Sequence, residues 1–192
     1  MSEKKKRRHG DRKDATLIRD IDALHIAMAH CYLNRTDNEA YISEQIELEP
    51  IYKWIEQHKD EELKYTFFHV IVAALLKLLV IRPKLNRFIA NRKYYQKNER
   101  IAGFIIKRQF TDEAKEGMAS IKADENSTVF SIHDDIKKQI IPCKQGKNNG
   151  TEDSMAIFEK MPYWITKIVF NVVRRWSEKG KLPDSITKGD SN

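Results

Sequence analysis

The stretch FFHVIVAALLKLLVI, residues 67–81, constrains the fold of this chain more than any other. Phe67, Ile71, Ala74 and Leu78 recur at helical spacing, and Phe68, Leu75 and Leu79 widen the apolar stripe nearly all round. Thr66 can cap such a helix, and Pro83 disfavours helical geometry at Arg82, which ends it. His69 and Lys77 interrupt the run, which is also shorter than the roughly 18 apolar residues that a membrane span needs, so no membrane partner is expected. A helix apolar on most sides must lie under something, usually a sheet.

The flanking sequence supplies candidates for that sheet. NRFIA and KYYQK bracket Asn91-Arg92, a hairpin signal in which Asn tolerates the left-handed conformation. Residues 100–110 and 118–123 read as strands, the first central by its apolar density. AYISEQIEL, 40–48, places Ile42, Ile46 and Leu48 on alternate positions and reads as a further strand. Residues 14–33 suggest a turn or two of helix. Glu49-Pro50 starts another helix, with Ile51, Trp54 and Ile55 inward, and 59–63 is a charged surface loop. Ser127 or Thr128 caps a helix with Val129, Ile132, Ile136 and Ile140 inside. Residues 142–154 read as a mobile loop. PYWITKIVFNVVRRWSEKG then gives an amphipathic helix, with Ile165, Ile168, Val169, Val172 and Trp176 inside and Gly180 as its stop. The order predicts an α/β or α+β two-layer sandwich, a mixed sheet covered by helices.

Charge narrows the choice of partner. The 192-residue chain carries a net charge of +7. Residues 1–13 hold seven bases and two acids, which is +5, and the remainder holds 28 bases and 26 acids, which is +2. The chain therefore divides into a basic tail, 1–13, and a nearly balanced domain, 14–192, so a broad nucleic-acid-binding face is not expected. The N-terminus lacks the apolar segment of a secretory signal. Cys31 and Cys143 have no metal-type spacing and read as free thiols of a reducing compartment, so the expected location is cytoplasmic. The Asn-x-Ser/Thr matches at Asn34, Asn126 and Asn149 carry no meaning there.

The sequence has no glycine-rich phosphate loop, Gly-x-Ser-x-Gly or His-Glu-x-x-His. Asp22 and His25 are too few to hold a metal and read as a surface contact, and no metal is expected. His69 reads as a satisfied core or interface histidine, and His133, beside Asp134 and Asp135, as part of a solvated helix face. His30 and Cys31 are adjacent, which does not make a nucleophile–base pair. Tyr94 and Tyr95, near Arg92 and Lys93, could stack on bases, but alternation in a hairpin makes one of them core.

The segments HGDRKDATLIRDIDALHIAMAHCYLNRTDNEAYISEQIEL, KYTFFHVIVAALLKLLVIRPKLNRFIANRKYYQKNERIAGFIIKRQFTDE, STVFSIHDDI and LPDSITKGDSN resemble, in order, the catalytic domain of 2-oxo acid dehydrogenase acyltransferases. This is the chloramphenicol acetyltransferase-like superfamily, and the match is best to a bacterial acyltransferase-like branch. The string Arg82, Pro83, Lys84, Leu85, Asn86, Arg87, Phe88 is its most specific part, and its implied role is to join the long helix to the hairpin. The resemblance implies a homotrimer with sites at subunit boundaries and transfer of an acyl group from coenzyme A to a hydroxyl or thiol. A histidine in a His-x-x-x-Asp-Gly motif near the C-terminus would be the general base.

None of the six histidines here matches that motif, and Asp14-Ala15 stands where Asp-Gly is common. The chain is thus expected to be the first two-thirds of such a domain, incomplete at its C-terminus, with no catalytic residue of its own. Tyr41, Ser43, Met118 and Ser120 are expected to face substrate, whose acceptor class is left open. The alternatives are a non-catalytic oligomerising or small-molecule-binding relative and a nucleic-acid-associated protein using the basic tail.

Overall fold

The computed structural model describes residues 7–32, 34–107, 111, 114, 116–145 and 161–181. The expected strand end at 108–110, the loop residues 146–154 and the segment LPDSITKGDSN lie outside them. The class is α+β. In order come β1 (Ala15–Leu17), α1 (Ala23–Cys31), α2 (Glu49–Gln57), α3 (Phe67–Ile81), β2 (Arg87–Ala90), β3 (Lys93–Lys97), β4 (Arg100–Lys107), β5 (Glu116–Ala123), α4 (Val129–Lys144) and α5 (Tyr163–Glu178).

In place of the expected single mixed sheet, the described strands form two small antiparallel sheets, β1-β3-β2 and β4-β5. β4 is not central: β5 is its partner, with Ala102 opposite Ile121 and Phe104 opposite Ala119. The period of two sends Phe104, Ile106, Ala119, Ile121 and Ala123 to one face, and α3 and α4 pack on that face. The core is Val72, Ala73 and Leu76 of α3, Ile132 and Ile136 of α4, and Ile121 and Ala123 of β5.

α3 forms over the expected residues but turns a different arc inward. His69, Val72, Ala73 and Leu76 are buried, an i, i+3, i+4, i+7 set, whereas Ile71, Leu75 and Leu78 face solvent. Because the helix is apolar all round, periodicity could not choose between the arcs. Residues 40–48 also depart from expectation. They form no strand, and Tyr41, Ile42 and Ile46 are exposed, since alternation without a neighbouring edge leaves the ladder groups unpaired. At 14–33, a short strand precedes the helix, and Asp22 caps α1 by accepting from the His25 N–H at 3.1 Å.

The Arg82–Phe88 string joins α3 to the hairpin. Pro83–Asn86 make a 3-10 turn; Asn86 Nδ2 donates to the Glu99 carbonyl at 2.9 Å, and Gln96 Nε2 donates to the carbonyls of Pro83 and Asn86. Asn91 and Arg92 both have positive φ, 49° and 59°, as a two-residue turn matched to strand twist requires. Of the two tyrosines, Tyr95 is buried against Phe88 and Leu17. α4 is capped by Thr128 and runs through Pro142, where a loop was expected to begin. The proline falls in its last turn, so little ladder lies beyond it to disrupt.

α5 ends in a Schellman-type stop: Lys181 N–H donates to the Trp176 carbonyl and Gly180 N–H to that of Ser177, each at 2.9 Å. Gly180 has φ +63°, and a methyl group there would stand 2.8 Å from Cβ of Arg12. Ile168, Val172 and Trp176, expected inside, are exposed, and Ile165 and Val169 are half-buried.

The register of α3 predicts an asymmetry between adjacent leucines. Leu76 is 1 % exposed and Leu75 is 55 % exposed. Leu76→Ala is expected to cost about 2–5 kcal/mol in chemical denaturation and Leu75→Ala less than about 1 kcal/mol. Equal losses would show that the inward arc is the other one.

Candidate functional site

Titratable side chains converge at the N-terminal ends of α3 and α4. His69 is the third residue of α3, where it closes a capping box: its Nδ1 accepts from Thr66 N–H at 3.0 Å and lies 2.8 Å from Thr66 Oγ1. His133 is the fifth residue of α4, on the arc that also buries Ile132 and Ile136. The two are 3 % and 0 % exposed, and their rings stand 4.7 Å apart. The expected solvated face at His133 is therefore corrected. Asp134 is exposed, but His133 occupies the i+4 position from Val129 and turns into the core.

An aromatic shell and a salt bridge close the seam. Tyr65 stacks on His133 at 3.8 Å, and Trp54 stacks on His58 at 4.3 Å and meets Tyr65 and Phe130, which ties α2 to the ends of α3 and α4. Asp60 folds the 59–63 loop back: it accepts from the N–H groups of Glu62 and Leu63 at 2.8 and 3.2 Å and from Lys137 Nζ at 2.9 and 3.0 Å. Lys137 also reaches Glu62 Oε2 at 2.7 Å. Asp60 Oδ2 lies 3.4 Å from His133 Nε2, within ion-pair range but not aligned as a hydrogen bond.

These surroundings fix the charge states. Lys137 and the two loop N–H groups hold Asp60 far below the ordinary carboxylate range, and Glu62 and Asp60 raise Lys137. Burial, and then the proximity of His133, push His69 down to about 4. Nε2 of His69 and both ring nitrogens of His133 have no protein hydrogen-bond partner. Burying such groups costs free energy, and the cost rises steeply if a ring is charged. His69 therefore stores an acid sensitivity. The cluster does not present a base to a substrate, because neither ring reaches solvent.

The four other histidines are engaged locally or lie in the N-terminal turn. His25 Nδ1 meets Asp22 at 2.6 Å, His30 Nδ1 the Ile26 carbonyl at 2.9 Å, and His58 Nδ1 the Trp54 carbonyl at 2.8 Å, while His9 is exposed. Among the described residues, no group of three or more His, Cys, Asp or Glu could hold a metal. Of the residues expected to face substrate, Met118 and Ser120 share the outer face of β5, opposite Ile105 and Gly103. Tyr41 and Ser43 lie on the irregular, exposed 39–48 segment, and Tyr41 donates to Glu39 at 2.9 Å. The expected strand that would present them is absent.

A separate surface cleft of about 490 Å³ opens between α1, the hairpin turn and the end of α5, with Arg12, Tyr32, Phe88, Arg92 and Glu178 in its walls. Arg12 lies 5.1 Å over the Phe88 ring and 5.6 Å over Tyr95, and it pairs with Asp14 at 2.9 Å. No family model, curated protein or solved structure matches the chain.

A pH prediction follows from His69. Its folded-state value, about 4, lies below the 6.5 of an unfolded histidine, so the unfolded chain binds more protons between those limits. Stability from this group is complete above about pH 6.5 and is lost as pH falls toward 4, by at most roughly 3 kcal/mol. His69→Gln keeps a capping-box residue but cannot titrate there. Denaturation between pH 4 and 7.5 is expected to show a flatter slope in the variant, and an unchanged slope would assign the acid sensitivity elsewhere.

Proposed function

We propose that this protein is a chloramphenicol acetyltransferase-like chain that serves coenzyme A-dependent acyl transfer as a binding and assembling component, without furnishing the general base. The sequence resemblance gives the chemistry, and the placement of the six histidines carries the assignment of role. A general base must come within hydrogen-bond reach of the proton it removes. His69 and His133 are sealed in the core, and no histidine lines the cleft that holds Arg12 and Arg92.

That cleft is the place we assign to coenzyme A or its acyl thioester. Arg92 is exposed on the hairpin turn and supplies positive charge for a phosphate, and the rings of Tyr32 and Phe88 supply flat apolar walls for an adenine. The apolar outer arc of α3, with Phe68, Ile71, Leu75 and Leu78 exposed, supports association of copies, in keeping with a homotrimer.

The expected result is no thiol release from acetyl-coenzyme A above buffer with hydroxyl or thiol acceptors. Coenzyme A is expected to bind in calorimetry, several-fold more weakly to Arg92→Glu. Turnover abolished by substituting one histidine would overturn the role, and an absence of coenzyme A binding would remove the ligand.

A further inference from the structure

α5 is an amphipathic helix without extensive packing against any other described element. Its sequence spaces Trp164, Ile168, Val172 and Trp176 four residues apart, so they form one stripe, and all four are exposed, Trp164 by 65 % and Ile168 by 56 %. The helix and its end carry Lys167, Arg174, Arg175, Lys179 and Lys181 against a single acid, Glu178.

The fold adds a second basic segment at the same end. Arg12 Nη1 donates to the Glu178 carbonyl at 2.9 Å, which completes the C-terminal cap of α5, and the close approach of Arg12 to Gly180 fixes this junction. Arg7, Arg8 and Lys13 are thereby tethered near Arg174, Arg175, Lys179 and Lys181, though more than 150 residues separate the segments. In sequence, Lys4, Lys5 and Lys6 precede them.

We propose that α5 is an interfacial anchor that lays its Trp164–Trp176 stripe into the surface of an anionic lipid bilayer. An apolar stripe bearing tryptophans, flanked by Lys and Arg, is the pattern of helices that lie in the headgroup plane. A second copy of α5 offers only Glu178 as an acidic counterpart to these cations, whereas an anionic surface offers many. A protein partner would have to supply a groove for a convex helix, whereas lipid conforms to it. Among the described residues no helix is long and apolar enough to cross a membrane, and surface attachment requires none. The anchor is independent of the acyl-transfer reading.

The test is cosedimentation of the full chain with vesicles of phosphatidylcholine alone and of equal parts phosphatidylcholine and phosphatidylserine, at low and physiological salt. Binding is expected to be at least about tenfold stronger on the anionic vesicles, with a blue shift of tryptophan emission as the stripe leaves water. Ile168→Asp, at an exposed site, is expected to lose most of the binding, as is Arg174→Glu with Arg175→Glu. Equal binding to both vesicles, or none to the anionic ones, would overturn the proposal on the unaltered protein alone, whatever the variants do. So would full binding by a folded Ile168→Asp chain, which would leave the basic tail as the sole attractant. Polyglutamate that competes as well as the anionic vesicles, or an oligomer dissolved by Ile168→Asp, would give the surface to a protein partner or a second copy.

Discussion

Desolvation of one seam governs this molecule. α3 and α4 lie side by side on the β4–β5 ribbon, and Leu76, Ile121 and Ile136 exclude water where they meet. The same exclusion reaches two imidazoles, His69 and His133, which an ordinary core would leave outside. Asp60 and Lys137 close the seam from the loop side and Tyr65 covers the ring of His133, so the polar groups are held in by a latch and a lid. Because a two-stranded ribbon is not stable alone, the helices and the ribbon depend on each other.

What the sequence could tell follows from the physics of each signal. The limits of α3 were legible because Thr66 and Pro83 mark them chemically, but its inward arc was not, since an all-round apolar helix offers periodicity no contrast. In α4 the inward arc was read from Ile132 and Ile136, and His133 lies on that arc. The position pointed inward, and the residue type suggested the opposite. The hairpin was legible from Asn91, which tolerates the left-handed backbone that the turn requires and that Arg92 also adopts. Residues 40–48 show the reverse, since their alternation meets no strand edge. For α5 the helix was legible from its amphipathic pattern, but its apolar face was expected inside and is largely exposed, since such a pattern cannot say what covers that face. The convergence at Asp60, His133 and Lys137 was hidden because a loop residue meets residues more than seventy positions away.

Function separates from the core in the same way. His69 ties stability to pH from within the core, whereas the sites proposed for ligands stand on the periphery, around Arg92 at the hairpin turn and along α5. The Arg82–Phe88 string connects the two regions, since it carries the chain out of the buried helix and sets the hairpin against Arg12. Fold and resemblance alone do not give activity, so the assignment of role rests on where each histidine points.

Native-state hydrogen exchange tests the central claim, a single seam on which the rest depends. The account predicts that amides of α3, α4, β4 and β5 exchange together, at the free energy of global unfolding, while those of α2 and α5 exchange orders of magnitude faster. Protection of α5 equal to that of α3 would contradict it, by showing that the cooperative core extends beyond the seam.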